Sequence, residues 1–329
     1  MAKRIDMRDI AKHAGVSVGT VSNVLNGVPS VAPQYVERVR KSIDELGFVR
    51  NESARLLRSG SSQSIGLLVL STYNPFFNSL AEAAENAVER RGMSLVLASS
   101  AQSTDREDRY LELFEQQRVN GILLAPVHGI SPRVQALRDR GTPVVALAPP
   151  GDSRGIHTVE VDAEKGAFLA VSHLIETGRS RIIVVGGPDD QVSDRMRGAQ
   201  RAVQAGGATL VHVPTNDLSI AEGEAVAEKI RDMVADHDGL FAFNDLVALG
   251  LTNSLVRKYG IRIPEDIAVI GHDDIEFSRL STVELSSVRQ PVAEMAERAV
   301  QLLLEGDPDH PTHDMFQPEL IVRQSTAVR

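Results

Sequence analysis

From Ser64 onward the chain alternates between short apolar runs and longer amphipathic ones. Runs at residues 65–70, 94–98, 121–125 and 143–147 are too short for helices and rich in Val, Ile, Leu and Ala, so they read as strands. A second set lies at 181–186, 209–213, 239–243 and 267–271. Helical spacing fills the intervals at 76–91, 105–118, 163–177, 195–205, 221–235 and 246–259. Strands separated by helices of this length pair in parallel, because a parallel return needs a crossover and a helix supplies it. The expected body is therefore α/β, with two doubly wound parallel-sheet subdomains. No tandem repeat is evident in the sequence.

Composition narrows the function. At 329 residues and 42% hydrophobic content, the chain can bury the cores of about two ordinary domains and a small module. No apolar run reaches the roughly 18 residues of a membrane span, and no apolar signal core follows Met1, so a cytoplasmic protein is expected. There are no cysteines, which removes disulfides, thiolate metal sites and cysteine nucleophiles together. The nine histidines show no metal-ligand spacing, and His310 and His313 read as solvated in a polar loop. Dinucleotide, phosphate-loop, zinc-protease and nucleophile-elbow motifs are all missing. Neither a cofactor nor an enzymatic activity is expected.

Charge is distributed unevenly. Ten Lys and Arg against six acids give residues 1–60 a net charge of +4, which leaves −13 on the remainder. A basic head on an acidic body suits a protein whose head alone meets phosphate. Within that head, Asp6 and Asp9 are spaced as a helix-start signal, and the helix they open ends at Gly15. Ser17 caps the next helix, so a tight turn, Ala14-Gly15-Val16-Ser17, joins two short helices with helix-turn-helix spacing. A third begins at Pro33, carries Val36, Val39, Ile43 and Leu46 at spacings of three and four, and ends at Gly47. The second helix turns Val21, Val24 and Leu25 inward, and its outer face lacks the long charged side chains of a merely solvated helix.

Ile10-Ala11-x-x-Ala14-Gly15-Val16-Ser17-x-x-Thr20-Val21-Ser22-x-Val24-Leu25-Asn26 resembles the DNA-binding signature of the lactose/galactose-repressor family of bacterial transcriptional regulators. The resemblance implies an all-α helix-turn-helix DNA-binding head on a periplasmic-binding-protein-like effector domain. It also implies a homodimer that binds a pseudo-palindromic double-stranded operator. Val18, Gly19 and Asn23 would face base edges, while Ser17, Thr20, Ser22 and Asn26 would contact phosphate or support docking. Asn23 can pair with adenine through two hydrogen bonds and Val18 can meet a thymine methyl, whereas Gly19 offers no side chain.

The implied boundaries are a head at 1–47, a hinge at 48–63 with a hinge helix at 51–58, and an effector and dimerisation domain at 64–329. From the residues alone, 51–58 can be a plain linker or two helical turns, and a free helix this short is marginal in water. The resemblance implies a helix that orders on DNA, with Ala54 near the minor-groove floor, Leu57 wedged between central base pairs, and Arg58 adding charge at the groove edge.

In the body, the resemblance implies three crossings, near 161, 290 and 318. The N-subdomain would then span about 64–160 and 291–318, and the C-subdomain about 161–290 and 319–329. An effector would sit between them at the strand C-termini, against Phe76, Phe77, Asp162, Arg195, Leu218, Asn244 and Asp273. An Arg fork facing an Asp acceptor suits adjacent sugar hydroxyls or the polar edge of a base, and a carbohydrate is the family's commonest effector. Leu218 and His272 stand where aromatics are usual, and Ala148-Pro149-Pro150 stands where an Asp is common. With no heptad segment after 320–323, a dimer is expected rather than a tetramer. An α/β sugar receptor or enzyme without specific DNA binding is the alternative; a transport-type receptor would need a signal peptide and would not need residues 1–60.

Overall fold

The computed structural model describes residues 5–48, 62–151 and 153–327, without the side chains of 189–191. The expected hinge helix, with Ala54, Leu57 and Arg58, lies outside the described residues. Two compact units divide after residue 62.

The first unit contains α1 (Met7–Ala14), α2 (Val18–Leu25) and α3 (Pro33–Leu46). Asp6 and Asp9 form a reciprocal capping box at the start of α1, which satisfies backbone N–H groups that have no partner within the helix. Gly15 then turns the chain in a left-handed conformation that a side chain would strain, with φ +63°. Ser17 caps α2 by accepting from the Thr20 N–H. Ile10, Ala11, Ala14, Val21 and Val39 close into one core. His13 Nδ1 meets Ser42 Oγ at 3.0 Å and adds a polar tie between α1 and α3.

The second unit holds two sheets of six strands. The first combines β1 (Ser64–Val69), β2 (Ser94–Ser99), β3 (Ile122–Leu124), β4 (Val144–Leu147), β5 (His157–Val161) and β11 (His313–Phe316) in the order β11-β5-β4-β3-β1-β2. The second combines β6 (Arg181–Val185), β7 (Thr209–Val213), β8 (Gly239–Ala242), β9 (Ala268–Asp273), β10 (Ser286–Arg289) and β12 (Glu319–Ile321) in the order β12-β10-β9-β8-β6-β7. Every pairing is parallel except β10–β12, an antiparallel edge that alternation alone had not shown.

Helices cover both faces of each sheet, because successive strand residues point to opposite sides. Ile65, Leu67 and Val69 of β1 pack with α4 (Pro75–Glu89) and α12 (Val292–Glu305), whereas Leu68 joins Leu111 and Phe114 of α5 (Thr104–Gln116) and Leu137 of α6 (Pro132–Asp139). In the second sheet, Ile183 and Val185 pack with α9 (Ile220–Met233) and α10 (Asp245–Tyr259). Ile182 and Val184 pack with α7 (Ala163–Glu176) and α8 (Asp189–Gly206). The chain passes between the sheets after β5, between β10 and α12, and between β11 and β12.

Several elements have no counterpart in the sequence reading. Strands β5, β10, β11 and β12, helix α6, and the short α11 (Glu276–Leu280) were not marked, and α8 begins six residues before the expected 195. His313 is not a free loop residue, since it opens β11 and its Nδ1 meets Thr158 Oγ1 at 2.9 Å. The missed strands are brief or carry His, Asp, Ser or Arg, so they lack the apolar run that marked the others.

Candidate nucleic-acid face and ligand cleft

The outward side of α2 is built as its sequence suggested. Ser17, Val18, Gly19, Asn23 and Asn26 are exposed, Thr20 and Ser22 are half-buried, and Val21 is sealed in the core. The Asn23 amide makes no hydrogen bond to the described residues, so both its donor and its acceptor point outward together. Ser17 and Thr20 are joined through their hydroxyls at 2.9 Å and serve first as the helix cap. A Cβ at Gly19 would meet only Ser17 Oγ, at 3.6 Å, so packing inside the head does not demand glycine there. Gly19→Ala should accordingly stabilise the head by up to about 1 kcal/mol, read as a higher melting midpoint of the head transition.

In the body, strand order sets where a ligand can lie. Each sheet reverses direction beside its first strand, between β1 and β3 and between β6 and β8. Crevices in doubly wound sheets open at such points, outside the strand C-termini. Phe76 and Phe77 follow β1 and stand edge-on, with ring centroids 5.2 Å apart and planes at 72°. Asn74 caps the same helix, and Tyr73 beside it is 67% exposed.

A charged cluster lies in the second subdomain. Helix α8 is pressed against α7 so closely that a Cβ at Gly198 would sit 2.0 Å from the Glu164 carbonyl oxygen. That contact places Arg195, one turn earlier, near the end of β9. Burial pulls its guanidinium below the ordinary value, and the carboxylates of Asp273, Asp194 and Asp245 oppose the shift. Its Nε is sealed from solvent and has no hydrogen-bond partner among the described residues.

Asp273 ends β9 with φ +108°, a rare conformation for a residue with a side chain. Its Oδ1 accepts from Gln290 Nε2 at 2.8 Å and lies 3.0 Å from His272 Nδ1. Asp274 follows at φ +50° and is anchored by Arg289 at 2.8 Å and Arg323 at 2.6 Å. Behind them, Asp245 is fully buried and accepts from Ile275 N–H at 2.9 Å, Ser278 at 2.7 Å and Ser287 at 2.6 Å. Burial, and then the nearby Asp273, push its carboxyl up to about 7.

Two of the expected ligand contacts have structural work. Asn244 is buried, accepts from Val247 N–H as the cap of α10, and donates to the Leu218 carbonyl. Asp162 caps α7 by accepting from Lys165 N–H. Leu218 is half-buried and packs against both cores of its subdomain. Arg195 and Asp273 are brought together electrostatically, and Phe76 with Phe77 forms the aromatic pair of the other subdomain. Sequence reasoning gave no site role to Gln290, Ser278 or Ser287, and marked Asp245 only together with Asn244 at a strand end. No periodicity marks them, and Gln290 stood out only as a crossing point. Among the described residues no cluster of His, Cys, Asp and Glu could hold a metal ion, and no helix is long and apolar enough to cross a membrane.

Both units of the chain match known proteins. Residues 6–51 match the model for bacterial regulatory proteins of the lacI family, and 171–326 match a periplasmic binding protein-like domain. The chain is 31% identical over 334 residues to the HTH-type transcriptional repressor PurR of Aliivibrio fischeri, covering 98% of each. It is 32% identical over 341 residues to the HTH-type transcriptional regulator CelR of Thermobifida fusca, again covering 98% of each. A solved complex of transcriptional regulator CelR with cellobiose superposes with a TM-score of 0.71 at 30% identity, over 98% of this chain and 100% of that one. The chain therefore belongs to the lacI family of bacterial regulatory proteins.

Proposed function

We propose that the protein is a ligand-responsive transcriptional repressor. It binds a pseudo-palindromic operator as a homodimer through α2 of each head, and it takes a small polyhydroxylated metabolite, a sugar in the first instance, between its two subdomains. The observation that carries this reading is the outward face of α2, where Val18, Gly19 and Asn23 are exposed beside a capped N-terminus and no acidic side chain intervenes. Such a helix fits the major groove with its first turns against base edges. DNA binding also places the protein in the cytoplasm.

The ligand half of the proposal rests on the aromatic pair Phe76–Phe77 and on the charged pair Arg195 and Asp273. Cellobiose in the CelR complex favours a carbohydrate as the first ligand to try. Exposed apolar side chains on each subdomain, Leu97 and Leu113 on one and Phe277 and Leu280 on the other, favour a second copy as partner.

Footprinting on DNA from upstream of the protein's own gene, at two salt concentrations, tests the first half. A protected palindrome is expected, and binding without any footprint would sink the repressor reading. Asn23→Ala should weaken operator binding by roughly 5- to 150-fold, the equivalent of about 1–3 kcal/mol. The salt dependence should stay unchanged, because Asn23 carries no charge to displace counterions. For the second half, thermal melting against a panel of mono- and disaccharides, cellobiose among them, should reveal a stabilising ligand.

A further inference from the structure

We infer that His272 is a positioning residue of the ligand cleft: its Nδ1–H, with the Gln290 amide, saturates Asp273 Oδ1 so that Oδ2 alone is presented to the ligand. The inference rests on the reading of that cleft given above.

The ring is completely buried at the end of β9. Its Nδ1 lies 3.0 Å from Asp273 Oδ1. A carboxylate oxygen accepts, and the inferred arrangement therefore puts the proton of this hydrogen bond on Nδ1. Nε2 is then a bare acceptor. It is sealed from solvent and has no partner among the described residues. A Cβ at Gly166 of α7 would come within 3.3 Å of it, and α7 presents no donor there.

An orphaned buried acceptor is a cost that a phenyl ring of similar shape would avoid. What the imidazole brings in exchange is one directed N–H, and that N–H is spent on Asp273. The same Oδ1 already accepts from Gln290 Nε2 at 2.8 Å, whereas Oδ2 accepts from none of the described residues. Two donors on one oxygen fix the rotation of the carboxylate about its last bond. The unusual backbone of Asp273, with φ +108°, is held from the other side by Asp274, whose N–H donates to Ser287 Oγ at 3.0 Å. A carboxylate so constrained at every point except one oxygen is a preorganised acceptor. The environment also keeps the imidazole uncharged. Burial and the Arg195 guanidinium from α8 pull it below its ordinary value against the opposing pull of Asp273, and Gly166 brings no charge from α7. A neutral donor orients Asp273 without cancelling its charge toward a ligand.

The test uses the full-length chain with isotope-labelled histidine. The His272 ring should appear as the neutral Nδ1–H tautomer, unchanged across neutral pH, with a ring proton that shifts in Asp273→Asn and vanishes in His272→Phe. An Nε2–H tautomer in the wild type overturns the inference. Function is read with the panel sugar that stabilises the wild type most and fails to stabilise Arg195→Ala. His272→Phe should melt no lower than the wild type yet bind that sugar at least tenfold more weakly. His272→Asn, whose amide N–H can reach Oδ1, should recover part of the loss. Gln290→Ala should weaken binding in the same direction and provides a reading if the histidine variants fold poorly. A sugar held as tightly by His272→Phe and Gln290→Ala as by the wild type removes the positioning role while leaving the cleft itself standing, since Arg195→Ala judges that separately.

Discussion

Replacing Asp245 with alanine is expected to lower the melting midpoint of the α/β body by about 10 °C, on the order of 3–5 kcal/mol for a body of this size. The carboxyl accepts three hydrogen bonds in a site with no solvent access, from Ile275 N–H, Ser278 and Ser287. Truncation leaves those donors unpaired, at roughly 1–3 kcal/mol each where they cannot turn to another acceptor. It also opens space against β9, since a Cβ on Gly271 would lie 2.1 Å from Asp245 Oδ1.

The same residue makes stability depend on pH. Its folded value of about 7 stands above the ordinary 3.8, so between those limits the folded state holds a proton that the unfolded chain has released. The contribution is therefore full below the unfolded value and is lost as pH rises through the folded value. A difference of that size corresponds to about 4 kcal/mol. Wild-type melting should fall by several degrees between pH 5 and pH 8 relative to Asp245→Asn, which cannot ionise. Parallel melting curves for the two proteins would show that Asp245 ionises freely in the folded state, contrary to this account.

Arg195→Ala should abolish the response to ligand while leaving ligand-free operator binding within about threefold of wild type, a difference of about 0.7 kcal/mol. Burial pulls the guanidinium down, Asp273 is the leading group that opposes the shift, and the Nε–H has no acceptor among the described residues. On the proposed function, a polar ligand would supply that acceptor. Arg195→Lys should not rescue, because an ammonium is a point charge without the planar fork that binds adjacent oxygens. The measurement is operator affinity with and without the stabilising sugar. A response that survives in Arg195→Ala would remove the arginine from the site.

The head and the regular α/β alternation were legible from local pattern. Capping carboxylates, Gly15, Ser17 and apolar spacings of three and four act over a few residues, and their consequences appear in α1, α2 and α3 where the sequence placed them. The exposed face of α2, with Val18, Gly19 and Asn23, follows from the same periodicity. Strands such as β6 and β8 were equally plain, because a strand buried on both faces must be apolar throughout.

Tertiary structure decided what local pattern does not encode. Strand β10, Ser-Ser-Val-Arg, has no apolar run, and its polar side chains are intelligible only once Ser287 is seen donating to Asp245, far away in sequence. Asn244, chosen from its place at a strand end, turned out to be committed to capping α10 and tying down Leu218. Gln290 and His272 converge on one oxygen of Asp273 because β9 and β10 are neighbours in register, a relation that arises only when the sheet forms. The sequence by itself determined the family, the helix-turn-helix head and the alternation of strand and helix, all of which depend on contacts between near neighbours. Which carboxylate is buried, which is strained and which oxygen is left open depended on pairings between segments far apart in the chain.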